Sequence, residues 1–344
     1  NGNELAACTL GEIKLKDATR YSSERQKLLK QAAALNNARA KELRIFAEEA
    51  GQAANNLYVE ARKLFAMSAQ KNNVKAQYAL AIIYNKGLGT PISSAQAIKW
   101  FERAAKRNHK PAMWELVQLF DQGGTVKKDM ARALRILKQL ADQGDMSAVH
   151  KLGIYYINAD GVEQDLEKAG AYFLNASRQG YPPSQVNLGY YHLQGHGKNG
   201  VDYPEALKWL TLAARQGEMS AQIALGMMNH GGNGLPRDSV NGYEWLLIAE
   251  KTFALANTQL QKFLAAEKHR LEPLRQIVAA PLNRAQMQAA RERALKFKPV
   301  NLFLPGKAEP ADAKALLIKA NAGDPGAQFQ LGQLHFKGID GTTD

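Results

Sequence analysis

The residues whose types and spacing come nearest to a chemical site are His192, His196 and His230, together with Gly195-His196-Gly197-Lys198-Asn199-Gly200. Histidines four apart on one helix face can present ring nitrogens to zinc. Gly195 falls between the first two, however, and is expected to end the helix, and no carboxylate stands beside them. The glycine-rich stretch lacks P-loop spacing and follows no strand, so it reads as a helix-to-helix connection. Asn175-Ala176-Ser177 has the form of a glycosylation acceptor but falls inside a helix at packing positions. No nucleophile–base pair or metal cluster emerges, so the chain is read as non-enzymatic, without cofactor or metal.

The elements that would position any site are set by a spacing. One helical-hairpin pattern returns every 36 or 37 residues. Its clearest column is Ala40, Ala76, Ala112, Ala148, Ser184, Ala221; others run Asn36, Asn72, Asn108, Gly144, Gly180, Gly217 and Leu80, Leu116, Leu152, Leu188, Leu225. A period of this length defines a repeat array. Residues that recur at the period are assigned first to holding repeats together, and only those that break it to a private role.

One repeat shows the logic. Ala76, Leu80, Ala81 and Tyr84 share one face of a first helix. Gly87 and Gly89 stop it, because glycine reaches positive φ without a steric penalty. Pro91 lies in the connection. Ser93 caps the second helix, and its equivalents Asp129, Asp165, Asp202 and Asp238 are good N-caps. The second helix carries Ala97, Trp100, Ala104 and Ala105, with counterparts such as Ala133, Ile136 and Leu140, or Ala206, Trp209 and Ala213. Small residues allow close helix approach, and the large residue at the Trp100 position fills the gap between hairpins. A lone hairpin cannot bury its apolar face, whereas stacked neighbours can.

These residues resemble a known family. Ala221-Gln222-Ile223-Ala224-Leu225-Gly226, Gln185-Val186-Asn187-Leu188-Gly189-Tyr190-Tyr191 and Ala327-Gln328-Phe329-Gln330-Leu331-Gly332 are similar to the first-helix signature of the Sel-one-like repeat (SLR) family, a relative of the tetratricopeptide repeats. Ala206 to Trp209 and Ala213 to Gly217 resemble its second-helix signature. The resemblance covers about 36–250 and 311–338. It implies an all-α fold, a right-handed superhelical solenoid of antiparallel helix-turn-helix repeats. It further implies a scaffold or adaptor role, commonly in bacterial envelope, secretion or host-interaction systems, and hence a periplasmic or secreted location. It names no ligand.

The net charge of +13 suggests an acidic partner or an anionic surface. The cations are dispersed, with Lys99, Arg103, Lys106, Arg107 and Lys110 in one repeat and Lys127, Lys128, Arg132, Arg135 and Lys138 in the next. Most fall on second helices, on the outer, convex side, where a solvated face is the plain reading. No basic stripe interleaved with aromatics points to nucleic acid, and no apolar run approaches the roughly 18 residues of a membrane span. The single cysteine, Cys8, excludes an intramolecular disulfide. Leu5-Ala6-Ala7-Cys8 has the order of a lipoprotein cleavage site, but Asn1-Gly2-Asn3-Glu4 is polar where an apolar segment is needed, which favours a buried structural cysteine over a lipid anchor.

Along the chain, 1–75 reads as two divergent hairpins, one over 1–36 and one over 40–72 with Gly51 at a helix stop. Residues 76–255 read as five repeats, with enlarged connections at 195–201 and 231–236. Residues 256–298 read as array-closing helices, a long basic one over 256–271 and another from Asn283 to Lys298. Residues 299–310 read as a linker, and 311–344 as the start of a second, truncated array.

In related helical-hairpin arrays the first helices line a concave groove. Positions two, five and six residues beyond the Ala76 column would face it, and the residues taken from them are Tyr78, Ile82; Trp114, Gln118; His150, Ile154; Val186, Tyr190; and Ile223, Met227. The candidate partner-binding set is Ile82, Trp114, Gln118, His150, Ile154, Tyr190 and Met227, suited to a peptide segment or helix of a protein partner. Asn85, Asp121 and Asn158 could hydrogen-bond a bound backbone. The Tyr78 column also fits plain packing between first helices. Three functions follow: a concave-face adaptor, an inhibitor or immunity protein neutralising a toxin or enzyme, and a binder of anionic glycan or membrane surface through the basic convex face.

Overall fold

The computed structural model describes residues 2–35, 38–256, 261 and 264–299. Among these, fourteen helices and no strands are found. The chain divides into two compact units, 1–143 and 144–344.

The first unit opens with two long helices, α1 (Gly2–Ala33) and α2 (Ala38–Gln70), packed along their length. This corrects the expected pair of short hairpins: each half is one unbroken helix, and Gly51 lies inside α2 rather than at its end. The cause is a seam of small residues three and four apart, with Ala40, Leu43, Ala47, Ala50 and Ala54 buried on α2 and Cys8 and Ala18 on α1. That spacing keeps one face of a long helix against its partner. Gly51 is tolerated because the Arg25 stem lies across it, 3.1 Å from where a Cβ would be. Cys8 is buried in the seam, its Sγ 3.8 Å from Asn73 Oδ1, and burial raises its thiol pKa.

Two regular repeats follow, α3 (Val74–Lys86) with α4 (Ser94–Ala105), and α5 (Lys110–Gln122) with α6 (Met130–Asp142). One core joins Phe65 of α2 to Leu80, Phe101, Leu116 and Phe120. Apolar burial of this kind, at about 25 cal/mol per Å², supplies the main driving force for stacking.

The second unit holds three repeats: α7 (Met146–Asn158) with α8 (Leu166–Arg178), α9 (Pro182–Leu193) with α10 (Tyr203–Arg215), and α11 (Met219–Gly231) with α12 (Ser239–Leu255). Two further helices, α13 (Ala265–Ala279) and α14 (Arg284–Lys296), pack against α12. Of the basic helix expected over 256–271, residues 257–260, 262 and 263 lie outside the described residues, and 265–271 are helical. Ala256 ends α12 in an extended conformation, and α13 begins at Ala265 and runs on to Ala279 through Pro273. Leu271, Val278 and Ala290 close over Ile223, Tyr243 and Leu246, covering the apolar face of α11 and α12. Asn283 starts α14 with a reciprocal capping box to Gln286. The linker and second array expected over 299–344 lie outside the described residues, apart from Pro299.

The capping pattern matches the sequence. Ser93, Asp129, Asp165, Asp202 and Asp238 each accept a backbone N–H at the start of a second helix. The turn column Asn72, Asn108, Gly144, Gly180, Gly217 has positive φ throughout. Ala76, Ala112, Ala148, Ser184 and Ala221 are fully buried.

Candidate interaction surfaces

Three of the first helices, α3, α9 and α11, are tied at their buried starts to the helix that precedes them in the chain, α2, α8 and α10. Gln77, Gln185 and Gln222 stand one residue beyond the alanine column. Their amides donate to the carbonyl oxygens of Ala69 at 3.2 Å, Ser177 at 3.3 Å and Ala214 at 3.0 Å. Met113 and Val149 occupy the same position in the other two repeats and are buried without a polar group. The glutamines escaped the sequence reading because the column mixes amide and apolar types; their place beside the buried alanine was the available signal.

The candidate residues fall on both units. In the first, Ile82 packs at the rim of the core, Trp114 is half-buried, and Gln118 is exposed, its amide 3.5 Å from Gln122 Oε1. In the second, His150 is committed within the fold. Its Nδ1 lies 2.9 Å from Ser184 Oγ, and its ring packs 5.7 Å from Phe173 and 5.5 Å from Tyr181. Burial, with a smaller contribution from Lys151, lowers its pKa to about 4, so the ring is neutral at pH 7. Ile154 packs on Phe173, Leu188 and Tyr191. Tyr190 packs against the Val186 and Leu225 cluster and donates its hydroxyl to Ser220 O at 3.3 Å. Met227 lies at the edge of the Ile223 and Leu246 cluster. Ile154, Tyr190 and Met227 thus occupy one register on three successive first helices, each half-buried.

The position two residues beyond the alanine column is more deeply engaged. Tyr78 lies between Phe101 and His109, with ring centroids at 5.9 and 4.9 Å. Val186 and Ile223 are buried. These side chains pack repeat against repeat.

Open cavities lie in grooves between successive second helices. Between α8 and α10, over α9, a cavity of about 420 Å³ is lined by Glu167, Leu188, Tyr191, Glu205, Lys208 and Trp209, among others. Both of its carboxylates are paired, while Arg178 on the same wall is exposed. Glu205 accepts from Trp209 Nε1 at 3.0 Å and from Lys208 Nζ at 3.0 Å, and Lys198 pairs with Glu167 at 3.0 Å. The equivalent groove between α4 and α6, over α5, holds about 570 Å³. Arg132 crosses it to Glu102 at 2.8 Å, its guanidinium 4.5 Å from the Phe120 ring centroid.

His192 lies in the last turn of α9, and Gly195, at φ +69°, turns the chain after it. His196 contacts Gln194 Oε1 at 2.8 Å, and both imidazoles pack edge-on to Tyr191. Among the described residues no group of three or more histidine, cysteine, aspartate or glutamate side chains is arranged to hold a metal ion. No described helix is long and apolar enough to cross a membrane.

The repeat geometry has a name. The Sel1 repeat model matches residues 74–109, 111–145, 147–181, 182–218, 220–251 and 325–344, so the chain belongs to the Sel1 repeat family. Its all-α solenoid of antiparallel helix pairs is the fold of that family, a scaffold suited to protein–protein interaction. A protective antigen of uropathogenic Escherichia coli with an SLR fold is similar at 23% identity, covering 90% of this chain and 72% of that one, with a TM-score of 0.56. A Sel1 repeat protein from Oxalobacter formigenes is 26% identical over 58% of this chain and 76% of that one, with a TM-score of 0.46. An immunity protein from Pseudomonas aeruginosa is 19% identical over 75% and 82%, with a TM-score of 0.31. Comparison with curated protein sequences gave no match.

Proposed function

We propose that this chain is a non-enzymatic scaffold that binds a segment of a protein partner along its first helices, in a bacterial envelope or secreted setting. The observation that supports this is the row Ile154, Tyr190, Met227. Three large side chains stand in one register, each half-buried; α13 approaches Met227 through the Leu271 cluster and Tyr190 through Arg270 and Glu267, so a partner would gain most contact area at Ile154 and along the uncovered side of Tyr190. Successive first helices in the row touch through His150–Ser184 and Tyr190–Ser220, which holds the side chains at a fixed spacing and lowers the ordering cost of binding. Ile82, Trp114 and Gln118 are the corresponding residues of the first unit. The compartment rests on the family resemblance.

The test is affinity capture from extract of the native organism, followed by reconstitution with the purified partner. The full chain is compared with an Ile154→Ala/Tyr190→Ala variant and with Gln118→Arg, each checked for helicity and thermal unfolding. Loss of the partner with retained folding supports the reading. Full binding by folded forms of both variants overturns it. A chain that unfolds on Tyr190→Ala is replaced by Met227→Lys, which adds a charge at the half-buried rim.

A further inference from the structure

The grooves between second helices are built alike, but the pairing of their charges is not. In the α8–α10 groove Glu167 and Glu205 meet Lys198 and Lys208, which leaves the exposed Arg178 as the one cation there without a carboxylate among the described residues. In the α4–α6 groove Lys106 and Arg135 line the wall and are exposed. A second cavity of about 580 Å³ adjoins it across Phe120 and Arg132, and this one is lined by Lys127 and Lys128. None of these four cations has a carboxylate partner among the described residues. The carboxylates of the two cavities are three. Glu102 is held by Arg132, and Asp129 accepts the Arg132 backbone N–H at 3.0 Å as the cap of α6. Asp142 at the far end of α6 is the third. What sets this pair of repeats apart is the pairing: four of the five cations lining the two cavities lack a carboxylate partner among the described residues, against Arg178 alone in the α8–α10 groove. Like charges gathered on one surface repel one another, and an anionic ligand relieves that repulsion.

We infer that the paired cavities astride Arg132 are a docking site for an acidic, extended segment of a protein partner. Carboxylates of the segment meet Lys106 and Arg135 on one side of Arg132 and Lys127 and Lys128 on the other. Half-buried apolar side chains lie beside both sets, Ile136 in the first cavity and Ile98 and Val126 in the second. A segment in which acidic and apolar residues alternate fits both features, since an extended chain points successive side chains to opposite faces. The inference rests on the scaffold reading above and adds to it a second surface and the chemistry of what occupies it.

The probe is a fluorescein-labelled short peptide of alternating glutamate and leucine, titrated with the full chain and followed by anisotropy. Lys106→Glu/Arg135→Glu is compared with Lys99→Glu/Lys138→Glu, which makes the same change in net charge at exposed positions of α4 and α6 outside the cavities. The groove pair is expected to weaken binding at least about tenfold and the control pair less than about threefold, with affinity falling as salt rises from about 50 to 300 mM. Equal weakening by both pairs, or no binding by the wild-type chain, overturns the inference. So does a preference for vesicles containing phosphatidylglycerol or for single-stranded DNA over the peptide, with the same dependence on Lys106 and Arg135. If the first-helix variants lose a partner that the groove variant keeps, and the peptide does not bind, the groove inference falls while the scaffold reading stands.

Discussion

Gly189 and Leu210 are packed so closely that a methyl group on the glycine would stand 2.5 Å from Leu210 Cγ. The relationship recurs in the second unit, with Gly153 against Phe173 and Gly226 against Leu246, each at 2.6 Å. In every case a first helix meets the large residue of its own second helix through a bare backbone, and that contact sets how near the two helices of a repeat come.

Gly189→Ala is expected to lower stability by about 1–3 kcal/mol through overpacking. Leu210→Ala in the same chain should recover part of that loss, because the two changes share one space. Urea unfolding of the two single variants and the double variant checks this. Additive losses would show that the helices do not depend on this contact.

Ala159 ends α7 at φ +60°, in the left-handed region. The same place in other repeats is held by Gly87, Gly195 and Gly232, all at positive φ. A Cβ is strained there. Ala159→Gly should therefore raise stability by about 0.5–1 kcal/mol despite the freer unfolded chain. A fall in the thermal midpoint would refute this.

Gln222 donates to Ala214 O, yet its own Oε1 is buried with no partner among the described residues. Ala214 O also accepts the Gly217 N–H at 3.1 Å. Gln222→Met, which copies Met113, should thus change stability by less than about 1 kcal/mol. Gln222→Glu should remove about 2–4 kcal/mol at pH 7 by burying an unpaired carboxylate, and less near pH 4, where it protonates. Chemical denaturation at the two pH values separates these outcomes.

His150 supplies a pH dependence of definite sign. Its folded pKa, about 4, lies below the value near 6.5 of an unfolded histidine. Between those values the unfolded chain binds the extra proton, so stability falls as pH drops from 6.5 toward 4 and levels off below. The loss reaches about 3 kcal/mol at most. Comparing the acid dependence of the wild-type chain with that of His150→Gln isolates the contribution. An unchanged slope between pH 6.5 and 4.5 would assign the acid sensitivity to other groups.

Much of the fold was legible before any coordinate was known, because the signals are local. The αL turn column, the N-cap aspartates and the buried alanines each follow from what one residue does to its own backbone or helix face. The long α1–α2 pair was not. Gly51 carries the same local stop signal as Gly87, but it stays helical because α1 lies along α2 and Arg25 covers it. That outcome depends on a partner dozens of residues away.

The candidate interaction residues divide along the same line. The period, with the groove geometry of related arrays, selected Ile82, Trp114, Gln118, His150, Ile154, Tyr190 and Met227 at two recurring first-helix positions. That His150 is turned inward to Ser184 depends on the neighbouring repeat. That Glu205 is spent on Lys208 and Trp209 while Lys106 and Arg135 have no carboxylate depends on which side chains meet across a groove. The chain by itself determined the repeat, its caps and its turns, since each is encoded within a few residues. Tertiary structure alone decided which groups are already satisfied and which remain for a partner, because pairing across repeats is a property of distance in space.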